Sequence, residues 1–321
     1  MHRLPSGLGH GLARAEAYVG NQKDGHGRRI KHHHRTLAGQ SMNPYRITEP
    51  TCISFSGGRT SAYMLWKILE AHDMSLPKEA IICFANTGKE EEATLRFVED
   101  CATHWCVRIT WLEYIMEDPR YTVVDHATAS RHGEPFEAII AHRGGYLPNR
   151  VARYCSSEMK TRTMHRHLKS IGWTDWDTFI GIRADEPRRV AKFRANPRPE
   201  FKGEEVHMPL ALDNVTAKDV GKFWNEQPFD LRLPNINGKT MHGNCDLCYL
   251  KPASQVLSLI TEKPERATWW ARQEAKAEQV AASASRFRDD RPSYAAMLKF
   301  STQQADMFDA NEEGISCFCG D

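Results

Sequence analysis

Residues 51–56 (TCISFS) are a short run of apolar and β-prone side chains. Gly57-Gly58 follows, and residues 61–71 then carry apolar side chains at helical spacing, at Met64, Leu65, Ile68 and Leu69. A buried strand that turns over two glycines straight into an amphipathic helix is the opening unit of an open α/β sheet. The pattern repeats: residues 80–85 (AIICFA) read as a second buried strand, 90–101 as a helix with Leu95, Phe97 and Val98 inward, and 107–112 as a third strand. Residues 178–182 (TFIGI) supply a fourth. This alternation predicts an α/β fold with a doubly wound parallel sheet.

The remaining segments are placed around that sheet. Residues 117–153 are polar and irregular, with one helix over 136–142, and 156–171 form a basic helix. Residues 187–205 are rich in proline and arginine and read as a mobile loop. A capped helix is expected over 216–226, and helices over 252–261 and 265–282 form a C-terminal cap. The organisation expected is therefore a basic, disordered leader (1–41), a nucleotide-binding α/β domain (42–205) and a helical, cysteine-containing region (206–321).

Charge supports the first boundary. The chain of 321 residues has a net charge of +2, but residues 1–41 alone carry +5 together with six of the 15 histidines, and the remainder carries −3. Such a leader reads as disordered, or as a basic arm for nucleic acid. No stretch approaches 18 uninterrupted apolar residues and no secretory signal core is present, so the expectation is a cytoplasmic protein without a membrane span.

The turn after the first strand carries the chemistry. Ser54, Ser56, Gly57, Gly58, Arg59, Thr60 and Ser61 lie between a strand and a helix. Glycines let backbone N–H groups approach phosphate oxygens, the helix N-terminus adds partial positive charge, and Arg59 supplies a fixed cation. No GxxxxGK[ST] occurs, so this is not a Walker loop. Asn86, Thr87 and Gly88 end the second strand on the same side. Arg183 follows the fourth strand, where its planar guanidinium suits a phosphate or sulfate, with Glu186 placed to hold it.

Nine cysteines in a chain without an export signal are buried small hydrophobes, metal ligands or nucleophiles rather than disulfides. Cys52, Cys83, Cys101 and Cys106 fall in or beside apolar runs and are expected in the core. Cys155, the C-x-x-C of Cys245 and Cys248, and Cys317 and Cys319 sit in polar stretches. Thiolates alone suit an iron–sulfur cluster or zinc, and spacing does not separate the two. His242 is either a further ligand or a polar loop residue. Trp173, Trp176, Trp269 and Trp270 are expected in packing rather than base stacking.

Ser56-Gly57-Gly58-Arg59-Thr60-Ser61 resembles the SGGxxS loop of the adenine nucleotide α-hydrolase superfamily. Within it the chain is similar to the phosphoadenosine phosphosulfate (PAPS) reductase family, in its divergent phage and mobile-element form. Asn86-Thr87-Gly88 resembles the family's nucleotide-contacting segment. Arg153-Tyr154-Cys155 with Lys160 resembles its R-x-C…K stretch, and Gly181-Ile182-Arg183 through Glu186 its G-[IV]-R-x-x-E segment. The resemblance implies an adenine nucleotide, PAPS or ATP, as ligand. It implies a [4Fe–4S] cluster held by Cys155, Cys245, Cys248 and Cys319 or Cys317, with zinc the alternative. A family nucleophile on a C-terminal Cys-Gly falls on Cys319, with Cys317 beside it and Lys160 and Arg183 in catalytic roles.

Two reactions follow as expectations: reduction of PAPS or an adenylyl sulfate to sulfite with a thiol electron donor, or ATP-dependent sulfur transfer to nucleic acid with a sulfur-donor protein. A non-catalytic nucleotide- and metal-binding regulator is the third reading. Thr60 stands where many relatives carry an aspartate that organises magnesium, and Glu90, Glu91 and Asp185 are the carboxylates available in its place.

Overall fold

The computed structural model describes residues 43–195, 203–236, 239–240, 242–243, 245–280 and 285–303. In chain order the elements begin with β1 (Thr51–Phe55), α1 (Arg59–Ala71), β2 (Ala80–Asn86), α2 (Glu92–His104), β3 (Ile109–Glu113), β4 (Thr122–Val124) and α3 (Glu134–His142). Next, α4 (Tyr154–Ser156) runs through a π-helical stretch (Ser157–Arg162) into α5 (Thr163–Ser170). Then come β5 (Trp176–Ile180), α6 (Pro187–Ala195), β6 (Glu204–His207), α7 (Pro209–Leu212), α8 (Ala217–Asn225), β7 (Asn235–Ile236) and β8 (Lys239–Thr240). Three helices follow: α9 (Ala253–Glu262), α10 (Arg266–Val280) and α11 (Tyr294–Gln303).

Six strands form one sheet in the order β4-β3-β2-β1-β5-β6, parallel except for β4. β1 lies between β2 and β5, and four of its five side chains are buried, as an apolar strand covered on both faces requires. The chain builds outward from β1 through β2 to β3 and then returns to its other side with β5. The C-terminal ends of β1 and β5 therefore form the crevice where open α/β sheets bind ligands.

Several expectations need correction. Residues 187–205 are not simply a loop: α6 occupies 187–195, with Arg189 and Val190 buried, and β6 pairs in parallel with β5 from Trp176↔Glu204 to Phe179↔His207. The sequence of β6, EEVH, lacks apolar alternation because it is an edge strand. β4 was likewise not expected; it is a three-residue antiparallel edge. Cys106 is exposed rather than in the core, because the chain turns there with φ of 52° before β3. Cys52, Cys83 and Cys101 are buried, as expected. The leader, residues 1–41, lies outside the described residues.

Two of the apolar cores are large, and a smaller one packs α5 on the sheet through Met164, Leu168 and Trp176. The first large core fills the space between the sheet and α1, α2 and α8, around Phe97, Trp105, Trp224 and Phe229. The other joins α3 to α9, α10 and α11 around Trp270, Phe287 and Tyr294. Trp269 and Trp270 are thus packing residues; their indole N–H groups donate to Glu137 (2.9 Å) and Asp246 (2.8 Å). Among the described residues no helix is long and apolar enough to cross a membrane.

The second core contains a carboxyl group, Glu274, which accepts from the backbone N–H groups of Phe287 and Tyr294. Burial pushes its pKa up from 4.5 to about 7. A folded-state pKa above the unfolded value means the folded protein holds the proton more tightly. Stability from this group is complete below about pH 4.5 and is lost as pH rises through about 7. Glu274→Gln is expected to remove on the order of 2–3 kcal/mol of pH dependence over that interval. Urea midpoints measured from pH 5 to 8 would show it; an unchanged slope would refute the assignment.

Candidate functional site

The turn after β1 is shaped by Gly57. Its φ is +76°, and a Cβ there would lie 2.7 Å from Thr94 Cγ2 on α2. Gly58 starts α1 with no side-chain cap, and the first turn of α1 holds no acidic residue. The partial positive charge of this helix end is therefore left for an anion. Ser61 Oγ closes the loop: it accepts from Ser56 N (3.2 Å) and Ser56 Oγ (2.9 Å) and donates to Gly58 O (3.0 Å).

Ser56 to Thr60 line a cavity that also receives Glu90, Lys160 and Arg183. Arg59 lines it too, but its guanidinium is engaged in a two-pronged pair with Asp230 at 2.6 and 2.5 Å, and it also donates to Leu233 O at 2.9 Å. Burial works against the Asp230 charge, yet the Arg59 pair holds its carboxyl below the usual range. Arg59 is therefore an anchor for the loop, with its charge largely balanced, rather than the fixed phosphate cation expected. Arg183 Nη1 donates to Thr60 Oγ1 at 2.9 Å, and its Nε donates to Asp185 at 2.9 Å. Glu186 accepts from the Arg183 backbone N–H at 3.0 Å and pairs with Arg189, so it fixes the turn after β5, while Asp185 and Thr60 take the closer contacts to the Arg183 guanidinium.

A second, open cleft lies at the β1–β5 crevice. Met164, Leu168, Ile180, Ile182 and Phe193 give it apolar walls, and Ser54 and Ser61 line its phosphate-loop end. Gly181 matters here because a Cβ would sit 3.1 Å from Ser61 Cα. A side chain there would press on the loop backbone, which would have to give by a few tenths of an ångström. A polar floor escaped the sequence reading: His165 lies 3.1 Å from Glu204, which accepts from Thr178 at 2.8 Å. The pair joins α5 to an edge strand that had no sequence signal.

Cys155, Cys245 and Cys248 line a third cavity, with Thr87, Ser156, Lys160 and the apolar walls of Phe136, Tyr249, Leu250 and Trp270. Cys155 Sγ is 3.2 Å from Tyr249 Oη, and Cys245 Sγ is 3.5 Å from Thr87 Oγ1. The C-x-x-C loop is held from several sides. Cys245 bridges to the Glu90 backbone, Lys251 Nζ donates to Cys245 O at 2.6 Å, and Lys89 pairs with Asp246 at 3.0 Å. Three thiols facing one apolar cavity match the soft donor set that iron–sulfur clusters and zinc take. Cys317 and Cys319 lie outside the described residues. His242 faces elsewhere, pairing with Glu262 at 2.7 Å. A tighter donor set, Asp177, Glu205 and His207, lies on β5 and β6 and lines none of these three cavities.

Asn86, Thr87 and Gly88 are placed differently from one another. Asn86 is fully buried: its amide donates to Glu113 (2.6 Å) and Ser130 O (2.8 Å), and its carbonyl accepts from Gly88 N (3.0 Å). It organises the strand end rather than facing a cavity. Thr87 faces the thiols and also bonds Glu90.

A mostly parallel sheet with an uncapped glycine loop after an inner strand, opening on the crevice where strand order reverses, defines a nucleotide-binding α/β protein. Residues 50–228 match the phosphoadenosine phosphosulfate reductase domain, and the chain belongs to that family. It is similar to an uncharacterized nin region protein, ORF290, of Escherichia phage lambda, with 30% identity over 222 residues, which is 66% of this chain and 70% of that protein. It is also similar to an uncharacterized protein of Methanocaldococcus jannaschii, MJ0066, with 28% identity over 183 residues, 56% of this chain but only 33% of the relative.

Proposed function

We propose that the protein binds an adenine nucleotide, with phosphates on the Ser56–Ser61 loop and the nucleoside in the β1–β5 cleft, and reduces PAPS or a related adenylyl sulfate to sulfite. The observation that carries this reading is Lys160, which lines the phosphate cavity, the nucleoside cleft and the cysteine cavity alike. A group attached to the nucleotide's phosphate would meet the lysine and the thiols together.

In this reading the loop amides and the α1 N-terminus bind phosphate, and Lys160 and Arg183 offset the charge that collects on the leaving nucleotide. A thiolate, Cys319 or Cys317, attacks the sulfuryl sulfur. The S–O bond to the nucleotide breaks, the nucleotide leaves with the bonding electrons, and an S-sulfocysteine remains. A dithiol electron donor then attacks the cysteine sulfur and expels sulfite; its second thiol frees the cysteine and leaves the donor as a disulfide. Cys155, Cys245, Cys248 and the remaining tail cysteine would hold a [4Fe–4S] cluster, or zinc in its place. A cluster of this kind would supply redox capacity beside the reacting group. Thiolate ligands and a thiol nucleophile suit the reducing cytoplasm.

One observation favours a second reading, ATP-dependent sulfur transfer to nucleic acid: the carboxylate of Glu90 lies in the phosphate cavity, where a metal–triphosphate would use it. Protein purified anaerobically with its native metal and given PAPS or adenosine phosphosulfate plus a dithiol separates the two. Sulfite is expected in step with adenosine phosphates, and it should disappear in Cys319→Ser or Cys317→Ser. No sulfite from nucleotide-bound protein, with AMP and pyrophosphate formed from ATP instead, would overturn reduction in favour of sulfur transfer.

A further inference from the structure

Glu90 is the one carboxylate among the described residues lining the phosphate cavity, and its side chain is only 3% exposed. One carboxylate oxygen, Oε2, is fixed by the Thr87 backbone N–H (2.9 Å) and hydroxyl (2.8 Å). The other, Oε1, is buried without a hydrogen-bond partner. Lys160 Nζ stands 3.6 Å from it, beyond the 2.7–2.9 Å or so of a charge-assisted hydrogen bond. The carboxylate is thus oriented by one oxygen, and it borders a cavity that also presents a helix N-terminus, hydroxyls and cations beside the apolar side chains of Val220 and Leu231.

A buried carboxylate persists when it is paired or coordinates a metal. Phosphate entering this cavity would draw Lys160 toward its own oxygens and set two anions side by side. A divalent cation between them removes that repulsion, and magnesium commonly takes one or two carboxylates plus substrate phosphates. The other two candidate carboxylates are committed elsewhere. Glu91 pairs with Arg266 at 3.1 Å, and Asp185 holds Arg183 and accepts from the Ala217 N–H at 3.0 Å. Position 60 offers a hydroxyl already bonded to Arg183.

We infer that Glu90 is the carboxylate ligand of a divalent cation that enters with the nucleotide's phosphates. This deepens the reading that the nucleotide's phosphates lie on the Ser56–Ser61 loop, and it rests on that reading. The site uses a carboxylate from the segment after β2 where a carboxylate at position 60 is absent.

The test is calorimetric ATP binding to the full-length protein in EDTA and in magnesium, for the wild type and for Glu90→Gln. Magnesium is expected to tighten ATP binding at least tenfold in the wild type and less than twofold in Glu90→Gln, with binding in EDTA little changed or tighter in the variant. Thr60→Asp placed in the Glu90→Gln background should restore part of the magnesium response. Manganese resonance spectra of the wild type, which need no variant to fold, should show one bound ion in the presence of ATP and none without it. An equal magnesium response in Glu90→Gln, or wild-type binding indifferent to magnesium, would overturn the inference while leaving nucleotide binding intact. Absence of binding to ATP and to PAPS alike, in EDTA and in magnesium, would overturn the underlying reading as well.

Discussion

Lys160→Ala is expected to lower turnover by about 10²–10³-fold, the loss typical of removing one preorganised charge from the transition state. Its nucleotide affinity should fall less, by roughly tenfold, because the loop amides, the α1 N-terminus and Arg183 still bind phosphate. The split follows from position: Lys160 borders all three cavities, whereas the loop borders the phosphate cavity and the nucleoside cleft. The π-helical stretch Ser157–Arg162 carries the residue, so its placement depends on a local widening of the helix. Turnover and nucleotide dissociation constants measured on the same preparation would check this. Equal losses in both would make Lys160 a binding residue only, and Lys160→Arg rescue of binding without turnover would support the positioning of the charge.

Gly57→Ala should act through the backbone. The φ of +76° costs an L-residue roughly 1–2 kcal/mol, and the Cβ would press on Thr94 Cγ2 at 2.7 Å. Displacing α2 or the loop to relieve that contact raises the expected cost to about 3 kcal/mol. Nucleotide binding should be lost before the fold is, since the amides lose their alignment first. Thermal unfolding together with nucleotide titration would separate these effects. A variant with wild-type affinity would show that the loop does not bind phosphate through its amides. Gly57→Ala combined with Thr94→Ser, which removes the opposing methyl group, should recover part of the stability.

What could be read from the sequence was local. The strand–glycine–helix unit of β1 and α1 is contiguous, so its periodicity, its turn and its anion-binding end all appear within about 20 residues. Gly181 and Arg183 were legible for the same reason, as a short segment after a strand. β4 and β6 were not legible: one has three residues and the other reads EEVH, and an edge strand needs no apolar alternation. The side-chain chemistry of the cysteines was visible in their polar surroundings, but the grouping of Cys155 with Cys245 and Cys248 came from the family resemblance and not from spacing. Cys155 reaches the cavity from α4, while Cys245 and Cys248 arrive from a loop pinned by Lys89 and Lys251. Arg59 illustrates the limit most clearly. Its position in the motif suggested a phosphate ligand, and its partner Asp230 is 171 residues away.

That separation has a consequence for how the site comes into being. A ribosome extends the chain from its N-terminus, so the SGG signature emerges long before the carboxylate that secures it. Contacts between distant parts of a chain form late. Until Asp230 and Leu233 are made and docked, Arg59 lacks the acceptors that tie down the start of α1. A shortened translation product carrying every recognisable nucleotide-binding motif would therefore retain a loop without its brace. The competence of this centre is a property of the finished polypeptide, not of the segment in which its motifs are written.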